Sequence, residues 1–186
     1  MSPNTGETRG EARHPPLPGR RRATRAMNDQ PADGARAVRV LVPINANEDS
    51  RWGIAYALGL HAAGTPVEVC LLHVGEPVTQ WEVLRFRTQD EISRFQSERA
   101  QAFLADACQP LEARDISCRG HFRRGEVVFC ILDLAEELAC DEIVMPAPQG
   151  GLLGLLSKGI VAEVRQRVRE GRIVLVDEAG NPVAAA

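Results

Sequence analysis

The sequence predicts an α/β domain, a doubly wound five-stranded parallel sheet covered by four helices. Two observations lead there. From Val38 onward, short β-branched apolar runs alternate strictly with longer segments of helical period, five of the first kind and four of the second. Such an alternation calls for right-handed crossovers and a parallel sheet with helices on both faces. The composition agrees: 186 residues, 44% hydrophobic and 25% charged, suit one domain with a real core.

Val38 to Ile44, VRVLVPI, is the first strand. The polar NANEDS that follows turns the chain, and Asp49 or Ser50 is placed to accept from the first free amides of a helix over about 50–63. Ile54, Ala57, Leu58, His61 and Ala62 give that helix its apolar stripe, and Gly64 terminates it. Pro66 to Val74, PVEVCLLHV, is the second strand, and Val78 to Arg87 reads as a loop with a turn of helix. Gln89 to about Glu112 is the longest helix, with Ile92, Phe95, Ala102 and Phe103 on one face and Arg99 snorkelling outward. Asp115 to Phe122 is a weaker third strand, and Glu126 to Ala139 a helix carrying Val128, Ile131, Leu132, Ala135 and Leu138. Asp141 to Met145, DEIVM, is the fourth strand, with Asp141 and Glu142 facing solvent. A glycine-rich loop then enters a helix reaching about Arg169, with Val161, Val164 and Val168 inward. Gly171 ends that helix, and Arg172 to Val176, RIVLV, is the last strand.

Outside this frame, residues 1–37 hold five prolines and no hydrophobic period, which predicts a disordered tail. Residues 38–178 form the domain, and 179–186 are expected to be a flexible C-terminal tail. No apolar stretch follows Arg20-Arg21-Arg22, so the tail does not read as a secretion signal; a start of translation at Met27 accounts for it more simply. Six arginines against Glu7 and Glu11 give the first 25 residues a charge of +4, so the formal −3 of the chain leaves −7 to the rest. An acidic body with 4% aromatic residues lacks the basic stripe and stacking platforms of a nucleic-acid binder. Charges such as Asp133 and Glu136 interrupt the apolar windows, so no membrane span is expected. The five cysteines show no C-x-x-C pair and no metal-ligand spacing to the four histidines, so no metal is expected. Cys70, Cys130 and Cys140 lie in apolar segments and read as small hydrophobes.

VRVLVPINANEDSRWGIAYAL, VEVCLLHV, DEIVMPAPQGG and GIVAEVRQRV…RIVLV, in that order and spacing, resemble the universal stress protein family over Val38 to about Val176. The resemblance implies the strand order 3-2-1-4-5, which sets the carboxyl ends of strands one and four on either side of the topological switch point where ligands of such folds sit. It also implies a nucleotide site: an Asp after strand one, main chain near the end of strand two, and a G-x2-G-x9-G-[ST] loop after strand four. On this sequence the Asp falls on Asn45 and the main-chain contact on about Val74. Directly after Met145 the first glycine falls on Pro146, the second on Gln149, the third on Gly159 and the hydroxyl residue on Ile160. Only Gly159 matches the pattern.

Each departure removes a phosphate contact. Pro146 has no amide hydrogen, Gln149 brings a Cβ and a long side chain, and Ile160 puts a branched hydrocarbon where a hydroxyl would donate. Asn45 keeps an acceptor for a ribose hydroxyl but loses the charge. At about 1–3 kcal/mol per contact, losing three or four together costs ~100-fold or more in affinity. The expectation is therefore weak or lost nucleotide binding, with no resident cofactor. The alternative is an ATP- or AMP-binding switch in which Gly150, one residue on, stands in for the second glycine and acts with Gly159.

GLLSKG, Gly154 to Gly159, has Lys and Ser in the wrong order for a Walker A loop, and Leu152, Leu153, Leu155 and Leu156 read as a hydrophobic cover or a contact surface. His73 reads as half-buried and hydrogen-bonded at a strand end, while His121 with Arg123 and Arg124 forms either an anion-attracting rim or a solvated turn. No catalytic triad or paired-carboxylate motif is present in the spacing, nor H-x-G-H or S-G-G-x-D-S, and no catalysis is expected. The resemblance implies a cytoplasmic protein of stress response that acts through protein contacts. It pairs as a homodimer through the last strand, Arg172 to Val176, and meets an unknown protein partner.

Overall fold

The computed structural model describes residues 36–75, 89–148, 152–169 and 171–184. The tail up to residue 35 and the loop expected at Val78 to Arg87 lie outside the described residues. Strand β1 is Val38–Ile44, followed by a 3-10 turn Glu48–Arg51 and helix α1, Trp52–Ala62. Strand β2 is Val67–Gly75 and helix α2 Gln89–Glu112; β3 is Ser117–Arg124 and α3 Val127–Glu137. Then come β4, Glu142–Pro146, α4, Leu152–Arg167, and β5, Arg172–Val176. All neighbouring strands are parallel, in the order β3-β2-β1-β4-β5, the expected doubly wound sheet.

Because successive strand side chains point to opposite faces, one β-branched run feeds two cores. Val40, Val42, Ile44, Val69, Leu71, Val144, Val174 and Val176 face α1 and α2, where Ile54, Ala57, Leu104, Ala107 and Leu111 meet them. Leu41, Cys70, Leu72, Ile143, Met145 and Leu175 face α3 and α4 and pack on Ile131, Leu134, Val161 and Val164. Leu41, Leu71, Leu72 and Ile143 are wholly buried, each stabilising the fold by about 1.5–3 kcal/mol relative to exposure. Cys70, Cys130 and Cys140 are buried free thiols, whereas Cys108 and Cys118 are joined in a disulfide between α2 and β3.

Three expectations are corrected. The buried stripe of α2 is Ala100, Leu104, Ala107, Cys108 and Leu111, while Phe95 is 58% exposed. Arg99 lies over the Phe95 ring at 5.6 Å, so that ring is covered by a guanidinium instead of the core. Glu142 is 8% exposed, not solvent-facing: the Tyr56 hydroxyl donates to its Oε2 at 2.7 Å, and Arg172 pairs with its Oε1. Desolvation, then the bond to Glu142, pushes the Tyr56 pKa up to about 12. Finally, within the segment 179–186 expected to be a flexible tail, Pro182 and Val183 pair with β5. Pro182 bridges Val176 antiparallel, and Gly180 is buried.

The amino end of β1 is held by charge. Arg39 donates to Glu68 through Nε at 3.0 Å and Nη2 at 2.8 Å, and its backbone amide donates to Asp141 Oδ2 at 2.9 Å. Helix α3 begins at a cap in which the Glu126 carboxylate accepts from the amides of Val128 at 2.8 Å and Phe129 at 2.7 Å.

Candidate functional site

The topology leaves one natural opening. β1 departs to α1 on one face and β4 to α4 on the other, and the recorded register between them is Val40 with Glu142 and Leu41 with Ile143. Beyond those pairs, toward Ile44 and Pro146, the two described strands are no longer paired, which places a crevice at their carboxyl ends.

On the β1 side, the turn is closed upon itself. The Ser50 hydroxyl accepts the Asn45 amide at 3.1 Å and lies 2.7 Å from the Asn47 carbonyl and 3.1 Å from that of Asn45, acceptors for its own proton. The Asn45 carboxamide Oδ1 in turn accepts the Asn47 amide at 2.8 Å, an Asx turn. Ser50 is only 3% exposed. It does not cap α1, since neither the helix nor the 3-10 turn before it has a side-chain cap bond. Gly53 sits where α1 meets the sheet, and a Cβ there would press on Val42 and Val144.

On the β4 side, Met145 is buried in the second core and Pro146 is half-buried. Pro146 carries no amide hydrogen, and the next amide, Ala147, donates to Val176 O at 2.8 Å. The first two positions past Met145 therefore present no free donor to a ligand. Gln149 and Gly150 lie outside the described residues, as do the side chains of Leu152, Leu153, Leu155 and Leu156. Gly159 falls inside α4, exposed, and a Cβ there would meet nothing within 4 Å, so helix geometry does not require glycine at that position. Ile160 packs against the second core, which gives its hydrocarbon a structural use where a hydroxyl would serve a ligand.

The β2 rim is filled by rings. His73 Nδ1 lies 3.1 Å from Ile44 O, and the imidazole sits 5.1 Å from the Phe103 centroid and 6.0 Å from Phe122. The Arg51 guanidinium covers Phe103 at 5.6 Å and pairs with Asp106 at 3.0 Å. Val74, half-buried, packs on the second core and is in register with Arg123 of β3. His121, Arg123 and Arg124 belong to β3, which runs further than expected, so they do not form a solvated turn. Arg123 pairs with Glu137, Arg124 donates to Ser93 Oγ, and His121 Nε2 is buried with no partner among the described residues.

The structure thus gathers Asn45, Met145 and Pro146 at one sheet end, with Val74 on β2, the strand next to β1 on the side away from β4. The roles of Ser50 and the Ala147 amide were missed by sequence reasoning, because both depend on the path of the turn. Among the described residues no cluster of three His, Cys, Asp or Glu side chains is set to hold a metal ion, and no helix is long and apolar enough to cross a membrane.

A parallel sheet in the order β3-β2-β1-β4-β5, with its crevice between β1 and β4, defines a doubly wound α/β sandwich. The pattern of the universal stress protein family matches residues 38–169, and the chain belongs to that family. Several solved structures share the fold. A hypothetical protein whose biochemical function was assigned from its structure is 21% identical, with a TM-score of 0.57 over 75% of this chain and 95% of its own. A universal stress protein in complex with cAMP is 17% identical, with a TM-score of 0.55 over 76% of this chain and 98% of its own. A universal stress protein family protein from Arabidopsis thaliana with AMP bound is 14% identical, with a TM-score of 0.54 over 75% of this chain and 91% of its own. At these identities the likeness is one of fold. No curated protein sequence matches the chain.

Proposed function

We propose that this universal stress protein is of the degenerate-loop type, a cytoplasmic protein of stress response that works through protein contacts, without turnover and with weak or lost nucleotide binding. One observation carries the reading. Among the described residues, four main-chain positions at the mouth of the crevice offer no free amide: Pro146 has none, Ala147 donates to Val176, Asn45 to Ser50, and Asn47 to the Asn45 side chain. A phosphate entering there would have to displace protein hydrogen bonds, not fill waiting ones. Homodimerisation through the edge strand Arg172–Val176 belongs to the same reading, since β5 ends the sheet.

The second reading is a nucleotide switch that uses Gly150 and Gly159. It is favoured by the open space at Gly159 and by the relatives of shared fold whose structures hold cAMP or AMP. A thermal-shift titration with ATP and magnesium, and with AMP, separates the two. A nucleotide at 100 times its dissociation constant adds about 2.7 kcal/mol to stability. No shift at millimolar nucleotide is expected; a saturable rise in melting temperature would replace the first reading with the second.

A further inference from the structure

We infer that residues Asp177 to Val183 are an intramolecular strap that closes the outer edge of β5, so that pairing of this edge with a second copy of the chain requires the strap to be released. The inference rests on the reading of β5 as a dimer edge and adds a gate to it.

The geometry of β5 shows what the strap occupies. The Arg172 amide donates to Asp141 O at 2.9 Å, and the Val176 carbonyl accepts from Ala147 at 2.8 Å, so the even-numbered residues turn their main-chain groups toward β4. Ile173, Leu175 and Asp177 therefore carry the outward ones. Two of those three are taken by the chain itself: the Leu175 carbonyl by the Val183 amide at 2.8 Å, and the Asp177 amide by the Asn181 carbonyl at 3.0 Å. These bonds flank the antiparallel bridge of Val176 with Pro182. Among the described residues, what remains outward is the amide and carbonyl of Ile173 and the amide of Leu175, a run too short for regular strand pairing.

The strap is built to stay. Its turn is closed by Gly180 N to Asp177 O at 2.9 Å, and the Asp177 carboxylate accepts the amides of Ala179 at 3.0 Å and Asn181 at 2.8 Å. Gly180 is buried at φ 78°, and a Cβ there would run into the backbone of Ala55 and Tyr56, so the tip is seated on α1 where only glycine fits. The outer side of the strap is blunted as well. Pro182, whose main chain faces away from β5 in this bridge geometry, has no N–H to offer a further strand. β5 and the strap both lie beyond the residues matched by the family pattern, 38–169.

Sedimentation velocity at micromolar concentration tests the gate on three proteins: the full chain, the chain ending at Asp177, and full-length Gly180→Val, each checked for folding by circular dichroism. The full chain is expected to be monomeric. The truncated chain and Gly180→Val should dimerise at least tenfold more tightly, and a synthetic 177–186 peptide should reverse the effect of truncation. A full chain that is already a dimer, with its β5 amides protected from hydrogen exchange, would sink the gate and leave the edge reading standing. Folded variants that remain monomers would sink both. Should the truncated chain fail to fold, Gly180→Val decides by itself.

Discussion

Tyr56 of α1 and Glu142 of β4 form a 2.7 Å hydrogen bond in the protein interior, and Arg172 of β5 pairs with the second oxygen of the same carboxylate. One buried charge is thereby satisfied from two other elements. It ties the helix that receives the strap to the strand that the strap covers.

Removing the phenol hydroxyl leaves that carboxylate short of a donor. Tyr56→Phe is expected to lower stability by about 1–3 kcal/mol, read as a shift in the urea midpoint at an unchanged slope. Because the Tyr56 pKa is raised to about 12, its contribution is fully present below about pH 10 and is lost as pH rises through about 12. The variant should show a flatter alkaline limb.

His121 should respond to acid. Burial first, then the positive charge of Arg123, hold its imidazole below the ordinary 6.5, with Arg119 acting in the same direction and Glu137 against it. The folded state thus takes up the proton less readily than the unfolded chain. Stability from this group is complete above about pH 6.5 and falls as pH drops from there through the depressed folded value. The urea midpoint should fall between about pH 7 and about pH 5, and His121→Gln should flatten that fall. An unchanged slope in the variant would remove His121 as the cause.

The Cys108–Cys118 disulfide closes a short loop, with a sequence separation of 10. Chain entropy for a loop of this size is worth about 2–3 kcal/mol. Reduction, or the double change Cys108→Ala with Cys118→Ala, should lower stability by about that amount, and mass spectrometry after alkylation should find two labelled thiols only once the bond is reduced. Cys70, Cys130 and Cys140 should resist alkylation in the folded protein, being buried.

Loop chemistry should be restorable in part. Pro146→Gly and Ile160→Ser together add two donors at roughly 1 kcal/mol each, and Gln149→Gly clears space for a phosphate, so ATP affinity of the triple variant should rise on the order of 30-fold. Isothermal titration against the parent chain measures it. The same variant should lose about 1 kcal/mol of stability, because Ile160 packs on the second core.

What the sequence determined by itself is the frame. β-branched runs of strand length, separated by helical periods, left one economical architecture, and the element ends fell within a few residues of the observed ones. At the site, Pro146 is legible in one dimension because a missing amide hydrogen is a property of the residue itself. What only the tertiary structure decided depends on neighbours distant in the chain. The inward face of α2 went to Ala100, Leu104 and Ala107 instead of Phe95, and Leu104 seats against β3 where Gly120 leaves room for it, since a Cβ there would press on Leu104. Glu142 is buried because Tyr56 and Arg172, 86 positions before it and 30 after, converge upon it. The commitment of the Ala147 amide and the closure of the β5 edge follow from where the last strand and its strap lie. A hydrogen bond consumes a donor only when the fold brings an acceptor to it, and no local pattern records that.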